Sequence, residues 1–536
     1  MKNMKRVMKW CAVGCCTGWL LACSPAVQSV EEQPALIPVP QECAFGDNAF
    51  RLTRSTTIGT DAANAELTAI AAYFNGKLNP ATGYTLPVQE KGDIQLALVD
   101  EPELGDEGYR LAVETDKIRL EAVRPAGIFY GVQTLLQMLP KEIKSSEAQQ
   151  DANWTIPCAQ ITDKPRFEWR GLMLDVSRHW FTKEEVMRYI DELAEYKMNV
   201  FHWHLTDDQG WRIEIKSLPR LTEVGAWRAE RVGDWWSRSP QQPGEPVTYG
   251  GYYTQEDIKE VLAYARQRYV RVIPEHLKDE KELQSYFIHR LEGMLKQKGK
   301  RLIGWNEILE GGLAPEATVM SWQGMDGGIE AAKAHHHVIM TPTQHCYLDL
   351  YQGEPSVEPV TYSMCRLTDC YRFNPVPDSI PEAMVLGAQG NLWSEAVPTF
   401  RHAEYMTWPR GWALAEVLWS GPDKTDWNGF WPRVEKHFER AEAANIRYAR
   451  SMYNAIVTPY LESGELRIKL GCELEDSKIY YTFDNTDPDD CAPAYTEPLR
   501  IPKDATRLRV VTYRDGKPSG KVISLTIDEL RKRANS

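Results

Sequence analysis

The middle of the chain repeats one pattern, and that pattern constrains the fold more than any other feature of the sequence. Between about residues 165 and 450, short apolar runs alternate with stretches of helical periodicity. This alternation is typical of buried parallel strands joined by crossover helices. The predicted strands are Gly171–Val176, Val200–Leu205, Val270–Glu275, Arg301–Asn306, Thr318–Trp322, Val338–Thr341 and Val385–Gln389. The predicted fold class is therefore α/β, with a barrel of the (β/α)8 type over residues 165–450.

Polar and aromatic residues directly follow nearly every predicted strand. They are Arg178, His179, Asp207, Asp208, Glu275, Trp305, Glu307, Trp322, Trp393 and Glu395. In barrels of this kind, the loops after the strands meet on one face and carry the site. Fifteen of the 18 tryptophans lie between Trp169 and Trp431, which favours a site lined by flat apolar rings. The alternative is that these rings only fill the core.

The predicted barrel is one unit short. A closed barrel of this kind needs eight strands with matched tilt and stagger, and the sequence offers seven. The break falls after Glu275, because a helix predicted at Lys278–Gln297 begins almost at once and leads to the strand at Arg301–Asn306. We therefore expect an incomplete barrel, with two open strand edges unless the third and fifth strands pair across the gap.

Two smaller blocks flank the barrel. Residues 36–162 predict a non-catalytic α/β domain. Its elements are a helix at Ala62–Leu78, strands at Ile94–Val99 and at Tyr109–Val123 with a turn at Thr115-Asp116, and a helix at Ala126–Leu139. Residues 458–530 alternate polar and apolar positions, which predicts a small β-sandwich-like domain. Its predicted strands are Lys478–Thr482, Leu499–Ile501, Arg507–Tyr513 and Val522–Thr526.

The first 22 residues contain basic residues followed by an apolar run, the arrangement that is typical of an export signal. Lys2, Lys5, Arg6 and Lys9 precede an apolar run that is too short to span a bilayer and that ends at Leu20-Leu21-Ala22-Cys23. This resembles a bacterial lipoprotein signal peptide over residues 1–22, with Cys23 as the lipid-modified first residue and residues 23–35 as a tether. We expect an exported lipoprotein of the outer membrane, attached only through its lipid, on the periplasmic or the outer face. An ordinary cleaved signal peptide is the alternative.

The charge balance argues against a nucleic-acid partner. The chain has 62 lysines and arginines against 75 aspartates and glutamates, a net charge of −13. Proteins that bind nucleic acid draw much of their affinity from neutralising phosphates with basic side chains. We therefore expect no nucleic-acid binding.

Cysteines and histidines do not form a recognisable metal site. Seven cysteines remain once those up to Cys23 are set aside, and none has the repeated spacing of a zinc site. Two pairs, Cys365 with Cys370 and Cys472 with Cys491, could form disulfides in an oxidising compartment. His202 and His204 alternate on one strand, and the triplet His335–His337 falls where a helix runs into a strand. We expect no metal and no cofactor.

Seven motifs in the barrel block, in order along the chain, resemble those of the family 20 glycoside hydrolases, the β-N-acetylhexosaminidases. They are RGLMLDVSRHW (170–180), NVFHWHLTDDQGWRIEI (199–215), VIPE (272–275), LIGWNEIL (302–309), VMSWQG (319–324), YLDLY (347–351) and GAQGNLWSE (387–395). The first block resembles that family's non-catalytic α/β domain. The last block, around YYTFDNTDP, resembles its carboxyl-terminal β-domain.

The resemblance implies exo-acting removal of terminal N-acetylglucosamine or N-acetylgalactosamine from chitooligosaccharides or other glycans. The implied mechanism is substrate-assisted and retaining. The oxygen of the sugar's own 2-acetamido group attacks the anomeric carbon and gives an oxazolinium intermediate. Such chemistry needs a hydroxyl to hold the acetamido oxygen, aromatic walls to exclude water, and charged groups to fix the sugar hydroxyls.

The same resemblance assigns roles to eight residues of this sequence. Tyr347 matches the tyrosine that contacts and stabilises the acetamido group, and Trp305, Trp322 and Trp393 match its tryptophan cage. Arg178 and Glu395 match a hydroxyl-binding pair, a forked donor and an ionised acceptor suited to a sugar diol. Asp349 matches a further hydroxyl contact. Asp207 matches the aspartate that supports the catalytic acid through a histidine.

One departure from the family decides the expected activity. Family members continue VIPE into a run ending Pro-Gly-His and later carry His-x-Gly-Gly-Asp-Glu, whereas here Glu275 is followed directly by His276-Leu277-Lys278. The missing glutamate is the family's general acid/base, and the aspartate before it orients the acetamido group. General acid catalysis is typically worth 10²- to 10⁴-fold, or roughly 3 to 5 kcal/mol of barrier.

Neither nearby candidate replaces the missing acid. Asp279-Glu280 falls in the first turn of a predicted surface helix, where acidic residues suit the helix dipole. His276 has no upstream segment that would shape a loop around it. The sequence therefore predicts a β-N-acetylhexosaminidase by family with little or no hydrolytic activity. The alternatives are a non-catalytic amino-sugar-binding lipoprotein and a defective gene product.

Overall fold

A computed structural model describes residues 33–231, 241–274, 291–310 and 313–535 of the chain. Several sequence predictions fall outside these ranges. They are the signal peptide and Cys23, most of the tether, the candidates Glu275, His276 and Asp279-Glu280, and most of the helix predicted at Lys278–Gln297. Residues 291–297 of that helix are described, and they are helical.

The first sheet has seven strands in the order β1-β7-β5-β6-β4-β2-β3. Its strands are β1 (Glu42–Arg51), β2 (Ile58–Gly59), β3 (Val88–Gln89), β4 (Ile94–Leu98), β5 (Tyr109–Val113), β6 (Ile118–Ala122) and β7 (Thr155–Asp163). Two helices cover it, α1 (Ala65–Thr82) and α2 (Pro125–Met138). The elements predicted for the first block are present, and α2 is buried along nearly its whole length because it lies between this sheet and the barrel.

The central sheet is wholly parallel and has the order β14-β9-β8-β18-β17-β16-β15. Its strands are β8 (Trp169–Asp175), β9 (Val200–His204), β14 (Arg271–Pro274), β15 (Ile303–Trp305), β16 (Thr318–Ser321), β17 (Val338–Met340) and β18 (Val385–Leu392). Each of the seven predicted strands is found, and the predicted α/β fold class is confirmed. Every residue of β8 and β9 is buried, as expected for parallel strands covered on both faces.

Nine helices of the barrel block with both ends in the described residues follow these strands along the chain. They are α3 (Lys183–Glu195), α4 (Arg220–Glu223), α5 (Gln255–Arg266), α6 (Asp326–Lys333), α7 (Thr343–Cys346), α8 (Leu367–Tyr371), α9 (Phe400–Thr407), α10 (Arg410–Trp419) and α11 (Trp427–Ala443). Reciprocal capping boxes begin two of them: Thr182 with Glu185 for α3, and Thr254 with Asp257 for α5. Two short hairpin ladders lie in the loops, β10 (Thr206–Asp207) with β11 (Gly210–Trp211), and β12 (Trp227–Arg228) with β13 (Tyr249–Gly250).

The two ends of the central sheet face the position where the sequence lacks a strand. Among the described residues, β14 pairs only with β9, and β15 pairs only with β16. These are the third and fifth strands predicted from the sequence, and they do not pair with each other in the described part of the chain. The sheet is therefore an open, curled half-barrel here, with unpaired backbone groups along two edges.

The last block contains two small sheets that share a separate core. Its strands are β19 (Ile456–Glu462), β20 (Glu465–Gly471), β21 (Lys478–Thr482), β22 (Leu499–Arg500), β23 (Arg507–Arg514), β24 (Lys517–Pro518) and β25 (Ile523–Thr526). Sequence reasoning missed the β19–β20 hairpin and the final helix α12 (Ile527–Ala534). Ser463 and Gly464, both with positive φ, form the hairpin's two-residue turn, and that Ser-Gly pair was the available signal.

Two further predictions can be compared with the described residues. All seven cysteines in the described ranges are free thiols, although Cys365 Sγ and Cys370 Sγ lie 3.5 Å apart in the core. Neither suggested disulfide is therefore formed. No helix within these ranges combines the length and apolar character needed to cross a bilayer.

Candidate active site

The carboxyl end of the central sheet gathers an ionic cluster around Arg178, in the loop after β8. Its guanidinium lies 3.0 Å from Asp175 Oδ2, 2.9 Å from Asp207 Oδ2 and 3.5 Å from Glu395 Oε1. Its Nε donates to Gln209 Oε1 at 2.9 Å. Burial opposes the charge of Arg178, but the three carboxylates more than compensate, so that the pKa of Arg178 is raised. The structure thus brings together the predicted residues Arg178, Asp207 and Glu395.

The turn that carries Arg178 is fixed by its own sequence. Asp175 Oδ1 accepts hydrogen bonds from the backbone N–H groups of Ser177 and Arg178, at 2.8 and 3.1 Å. Its other oxygen accepts from Ser394 N at 3.1 Å. Because Ser394 immediately precedes Glu395, one buried carboxylate aligns the loops after β8 and β18.

A second arginine, Arg212, stabilises the same turn through hydrogen bonds to its backbone carbonyls. Arg212 is fully buried and donates to the carbonyls of Val176 and Ser177, at 3.1 and 2.7 Å. It also donates to the carbonyls of Ala226 and Gly251, at 2.5 and 3.2 Å. These four bonds tie the loop before Arg178 to the hairpin formed by β12 and β13. Sequence reasoning did not single out Arg212, although it ends the DDQGWR motif.

Asp207 has a histidine partner. His204, the last residue of β9, places Nε2 2.8 Å from Asp207 Oδ2. Arg178 and His204 together lower the pKa of Asp207, against the opposing effect of burial, so that Asp207 is held as a carboxylate. The neighbouring Asp208 is exposed, and its backbone N–H donates to Asp207 Oδ1. Of these two predicted residues, Asp207 belongs to the ionic cluster.

Aromatic rings form the apolar part of the site. The centroids of Trp305 and Trp393 are 5.9 Å apart, those of Trp322 and Tyr347 are 6.2 Å apart, and those of Tyr347 and Trp393 are 6.3 Å apart. Trp322 Nε1 donates to Glu307 Oε1 at 3.2 Å, which fixes its ring. The structure therefore brings the four predicted aromatic residues together as one group.

The aromatic group joins the ionic cluster through Trp393. The guanidinium carbon of Arg178 lies 4.9 Å from the Trp393 ring centroid, a cation–π distance. Burial raises the pKa of Tyr347, whose side chain stays a neutral hydroxyl. The result is a site with flat apolar walls on one side and a fork of charged groups on the other, the arrangement that a ring-shaped polyol with an apolar substituent requires.

Asp349 lies deeper in the same site. It is 6% exposed, and its Oδ1 has no hydrogen-bond partner among the described residues. Burial, and next the charge of Glu395, raise the pKa of Asp349 to about 8. The hydroxyl of Tyr362 donates to this carboxyl and partly offsets the rise. Tyr362 lies in a loop without a recognisable motif, and sequence reasoning missed it because nothing local marks it.

His179 contacts the loop that carries Glu395 and is not a free side chain in the site. Its backbone N–H donates to Ser394 Oγ at 3.0 Å, and its Nδ1 lies 2.5 Å from the Ser394 carbonyl oxygen. Burial lowers the pKa of His179. Among the other histidines that were weighed as ligands, His202 Nδ1 contacts the Gln389 amide at 2.9 Å, and His336 Nδ1 lies 2.9 Å from the Ala317 carbonyl.

Sequence models of three known families match the chain. The model described as glycosyl hydrolase family 20, catalytic domain, matches residues 167–276 and 275–422. The model of glycosyl hydrolase family 20, domain 2, matches residues 33–164, and a model described as Fn3 associated matches residues 468–527. The two catalytic-domain matches meet at residues 275–276.

Curated proteins and solved structures show the same similarity. A β-hexosaminidase of Porphyromonas gingivalis is 33% identical over 608 residues, covering 93% of this chain and 76% of that protein. A β-hexosaminidase of Vibrio furnissii is 31% identical over 479 residues, covering 71% of this chain and 76% of that protein. The solved N-acetyl-β-hexosaminidase of Streptomyces plicatus in complex with Thio-NAglucal is 30% identical, with a TM-score of 0.69, covering 78% of this chain and 97% of that one. A mutant of the Streptomyces plicatus enzyme, in complex with the product GlcNAc, has a TM-score of 0.70 at the same identity and coverage.

Proposed function

Since the chain belongs to glycosyl hydrolase family 20, we propose that its site receives the terminal N-acetylglucosamine or N-acetylgalactosamine of a glycan or chitooligosaccharide. By family the chain is a glycosidase of the β-N-acetylhexosaminidase type. A related protein of Vibrio harveyi is an N,N'-diacetylchitobiase, and a solved Streptomyces relative holds GlcNAc. These relatives support the amino sugar as the ligand class of this chain.

The observation that carries the proposal is the joining of the ionic cluster and the aromatic group at one sheet edge. Arg178 and Glu395, 3.5 Å apart, offer a donor and an acceptor to neighbouring sugar hydroxyls. Trp305, Trp322 and Trp393 surround the acetamido methyl group and exclude water. Tyr347 donates its hydroxyl to the acetamido oxygen and holds that oxygen below the anomeric carbon.

In the proposed reaction, the acetamido oxygen forms a bond to the anomeric carbon while the bond to the glycosidic oxygen breaks. The leaving oxygen must take a proton as that bond breaks. Water then attacks the anomeric carbon and gives up a proton, while the bond from that carbon to the acetamido oxygen breaks, which restores the acetamido group and leaves the anomeric configuration retained. The side chains of this site bind and orient the sugar, but proton transfer requires a further group.

We further propose that the chain hydrolyses such substrates poorly or not at all, because this proton donor is missing. The family's Asp-Glu pair belongs to the segment that is absent after Glu275. Two observations support this: the two family-model matches meet at residues 275–276, and β14 and β15, which flank this point, have unpaired edges among the described residues. The expected deficit in turnover is 10²- to 10⁴-fold.

A chromogenic N-acetylglucosaminide tests hydrolysis, and binding of N-acetylglucosamine tests the site itself. Tryptophan fluorescence suits the binding measurement because three tryptophans line the site. We expect saturable binding with turnover at least 10²-fold below that of the Porphyromonas gingivalis relative. Turnover equal to the relative's would refute the impairment, and absence of binding would refute the assignment of the site.

The rival is a non-catalytic amino-sugar-binding lipoprotein. It is favoured by the assembly at one edge of the eight residues to which the resemblance assigns roles, while the sequence lacks the segment that carries the family's acid. Selective retention of chitooligosaccharides with no detectable turnover after prolonged incubation supports this function. The third alternative, a defective gene product, is tested by re-sequencing the locus around codon 275, where a recovered insert with the Gly-Gly-Asp-Glu run would make the protein an ordinary enzyme of its family.

We also propose that the protein is exported and anchored through lipid on Cys23. The order of charges, apolar run and Leu-Ala-Cys at residues 21–23 supports this. Expression with a radiolabelled fatty acid should label the wild-type chain, and the Cys23→Ser variant should remain unlabelled and uncleaved. Equal labelling of both would contradict the anchor.

A further inference from the structure

The site contains more acidic groups than its cation can balance. Arg178 contacts three carboxylates, those of Asp175, Asp207 and Glu395, within 3.5 Å. Asp349 is the fourth carboxyl group of the site, and it makes no ion pair with Arg178. Carboxylates that share one site disfavour one another's charge, most strongly at Asp175 and Asp349, which are buried away from screening water.

The other groups that face Asp349 do not supply the missing positive charge. Glu395 adds a negative charge, and Tyr347 and Tyr362 are neutral phenols. Arg410 of α10 lies near enough to favour the carboxylate, but less strongly than burial and Glu395 disfavour it. Its guanidinium is directed at the main chain, with donated bonds to the carbonyls of Leu348, Leu350, Cys365 and Met406.

The hydrogen bonds of Asp349 leave one oxygen to carry a proton. Tyr362 and the backbone N–H of Asp349 itself donate to the carboxyl group. Oδ1 has no partner among the described residues, although it is buried. A buried carboxylate oxygen without a donor is costly, whereas a protonated oxygen in that place can donate to a ligand.

We propose that Asp349 keeps its proton at neutral pH and binds the terminal sugar as a hydrogen-bond donor, so that sugar affinity falls when this proton is lost. The proposal rests on the proposed role of the site as the receptor of a terminal amino sugar. A sugar hydroxyl then accepts from Asp349 Oδ1 and donates to the carboxylate of Glu395. The two acidic residues thus act with opposite hydrogen-bonding roles, as in other sites where an apolar environment keeps one carboxylic acid neutral.

The sign of the pH dependence follows from the direction of the shift. Burial and the charge of Glu395 raise the pKa of Asp349 to about 8. Below this value the donor form predominates, and affinity is constant with pH. Above it the carboxylate predominates, and affinity falls by about tenfold for each pH unit because one proton must be taken up on binding.

The test measures binding of N-acetylglucosamine to the full chain by tryptophan fluorescence between pH 6.5 and 9. We expect affinity to be about tenfold weaker at pH 9 than at pH 6.5. Circular dichroism at each pH confirms that the protein stays folded. Binding with the same affinity across the range overturns this inference but leaves the proposed function intact, whereas no binding at any pH overturns the proposed function.

Two variants assign the effect to Asp349. Asp349→Asn presents a permanent donor, so its affinity should vary by less than about twofold over the range. Tyr362→Phe removes a bond that favours the carboxylate, so its midpoint should move to higher pH by about one unit. If Asp349→Asn keeps the wild-type slope, another group titrates and the inference is wrong. If Asp349→Asn fails to fold, the Tyr362→Phe midpoint decides, and an unmoved midpoint refutes it.

Discussion

The two halves of the central sheet differ in completeness. On one side, β8 and β18 have seven and eight residues, pair on both edges, and support Arg178 and Glu395. On the other side, β14 and β15 have four and three residues and pair on one edge only within the described ranges. The first half carries Arg178 and Glu395, which the proposed function assigns to the sugar hydroxyls, whereas Trp305 of the aromatic group is the last residue of β15 in the second half. The second half borders the place where the family's proton donor belongs.

Under the proposed function, sugar binding and proton donation belong to separate parts of the fold. The binding groups depend on local contacts, such as those of Asp175 with Ser177 and Ser394, which need no closed barrel. A catalytic acid, in contrast, must be presented by the strand and loop that would fill the gap. A chain of this kind can lose the second capacity and keep the first.

The largest expected effect comes from restoring the segment that the sequence lacks after Glu275. Inserting the segment of the Porphyromonas gingivalis relative that follows its counterpart of VIPE, between Glu275 and His276, should raise turnover of a chromogenic N-acetylglucosaminide by 10²- to 10⁴-fold. The same insert with its acid glutamate changed to glutamine is the control and should stay inactive. An active control would show that turnover does not depend on this glutamate, and no gain from the intact insert would mean that the half containing β8 and β18 is itself defective.

The sequence predicted most of this arrangement, and the failures have physical causes. The seven parallel strands were found because strands such as β8 and β9 are buried throughout and therefore rich in apolar residues. Contacts that form only on folding were missed. Arg212 reaches carbonyls up to 39 residues away, and Tyr362 bonds to Asp349 across a loop, so no local pattern marks either residue.

A second prediction concerns Arg178, the cation in the complete half of the sheet, which is the half that contains β8 and β18. Arg178→Ala should weaken N-acetylglucosamine binding by about 3–5 kcal/mol, because Asp175, Asp207 and Glu395 would be left without their counter-charge. Arg166→Ala is a matched control, since Arg166 pairs with Glu382 at the opposite end of the barrel and should bind sugar as the wild type does. Fluorescence titration measures both. Equal loss in the two variants would show a general folding defect instead.

A third prediction tests whether the complete half depends on buried support. Arg212→Ala removes a donor from four carbonyls, including those of Val176 and Ser177 next to Arg178, and only the Ala226 carbonyl keeps a second donor, the backbone N–H of Gly251. Sugar affinity should fall by about 1–3 kcal/mol, and Arg212→Lys should recover part of the loss because it retains a charge and three donors. Isothermal titration of N-acetylglucosamine gives the affinities. An Arg212→Ala variant with lower melting temperature but wild-type affinity would assign the residue to stability alone.

The smallest expected effect concerns how the melting temperature depends on pH, compared between a variant near β8 and a variant near the open edge of the sheet. Burial, and next the charge of Glu404, raise the pKa of Glu192 on α3 to about 8, well above its value in an unfolded chain. Between about pH 4.5 and 8 the unfolded chain therefore ionises Glu192 while the folded chain keeps the proton, and stability falls as pH rises. Glu192→Gln cannot ionise, so its melting temperature should lie about 1–3 °C above that of the wild type at pH 8 and approach the wild-type value near pH 5.

The control variant lies near the open edge of the sheet. Glu316 makes an exposed ion pair with Lys296, and Glu316→Gln should leave the melting curve unchanged at both pH values, because such pairs contribute little. Differential scanning calorimetry at the two pH values makes the comparison, and a larger shift for Glu316→Gln than for Glu192→Gln would place the limiting stability at the open edge.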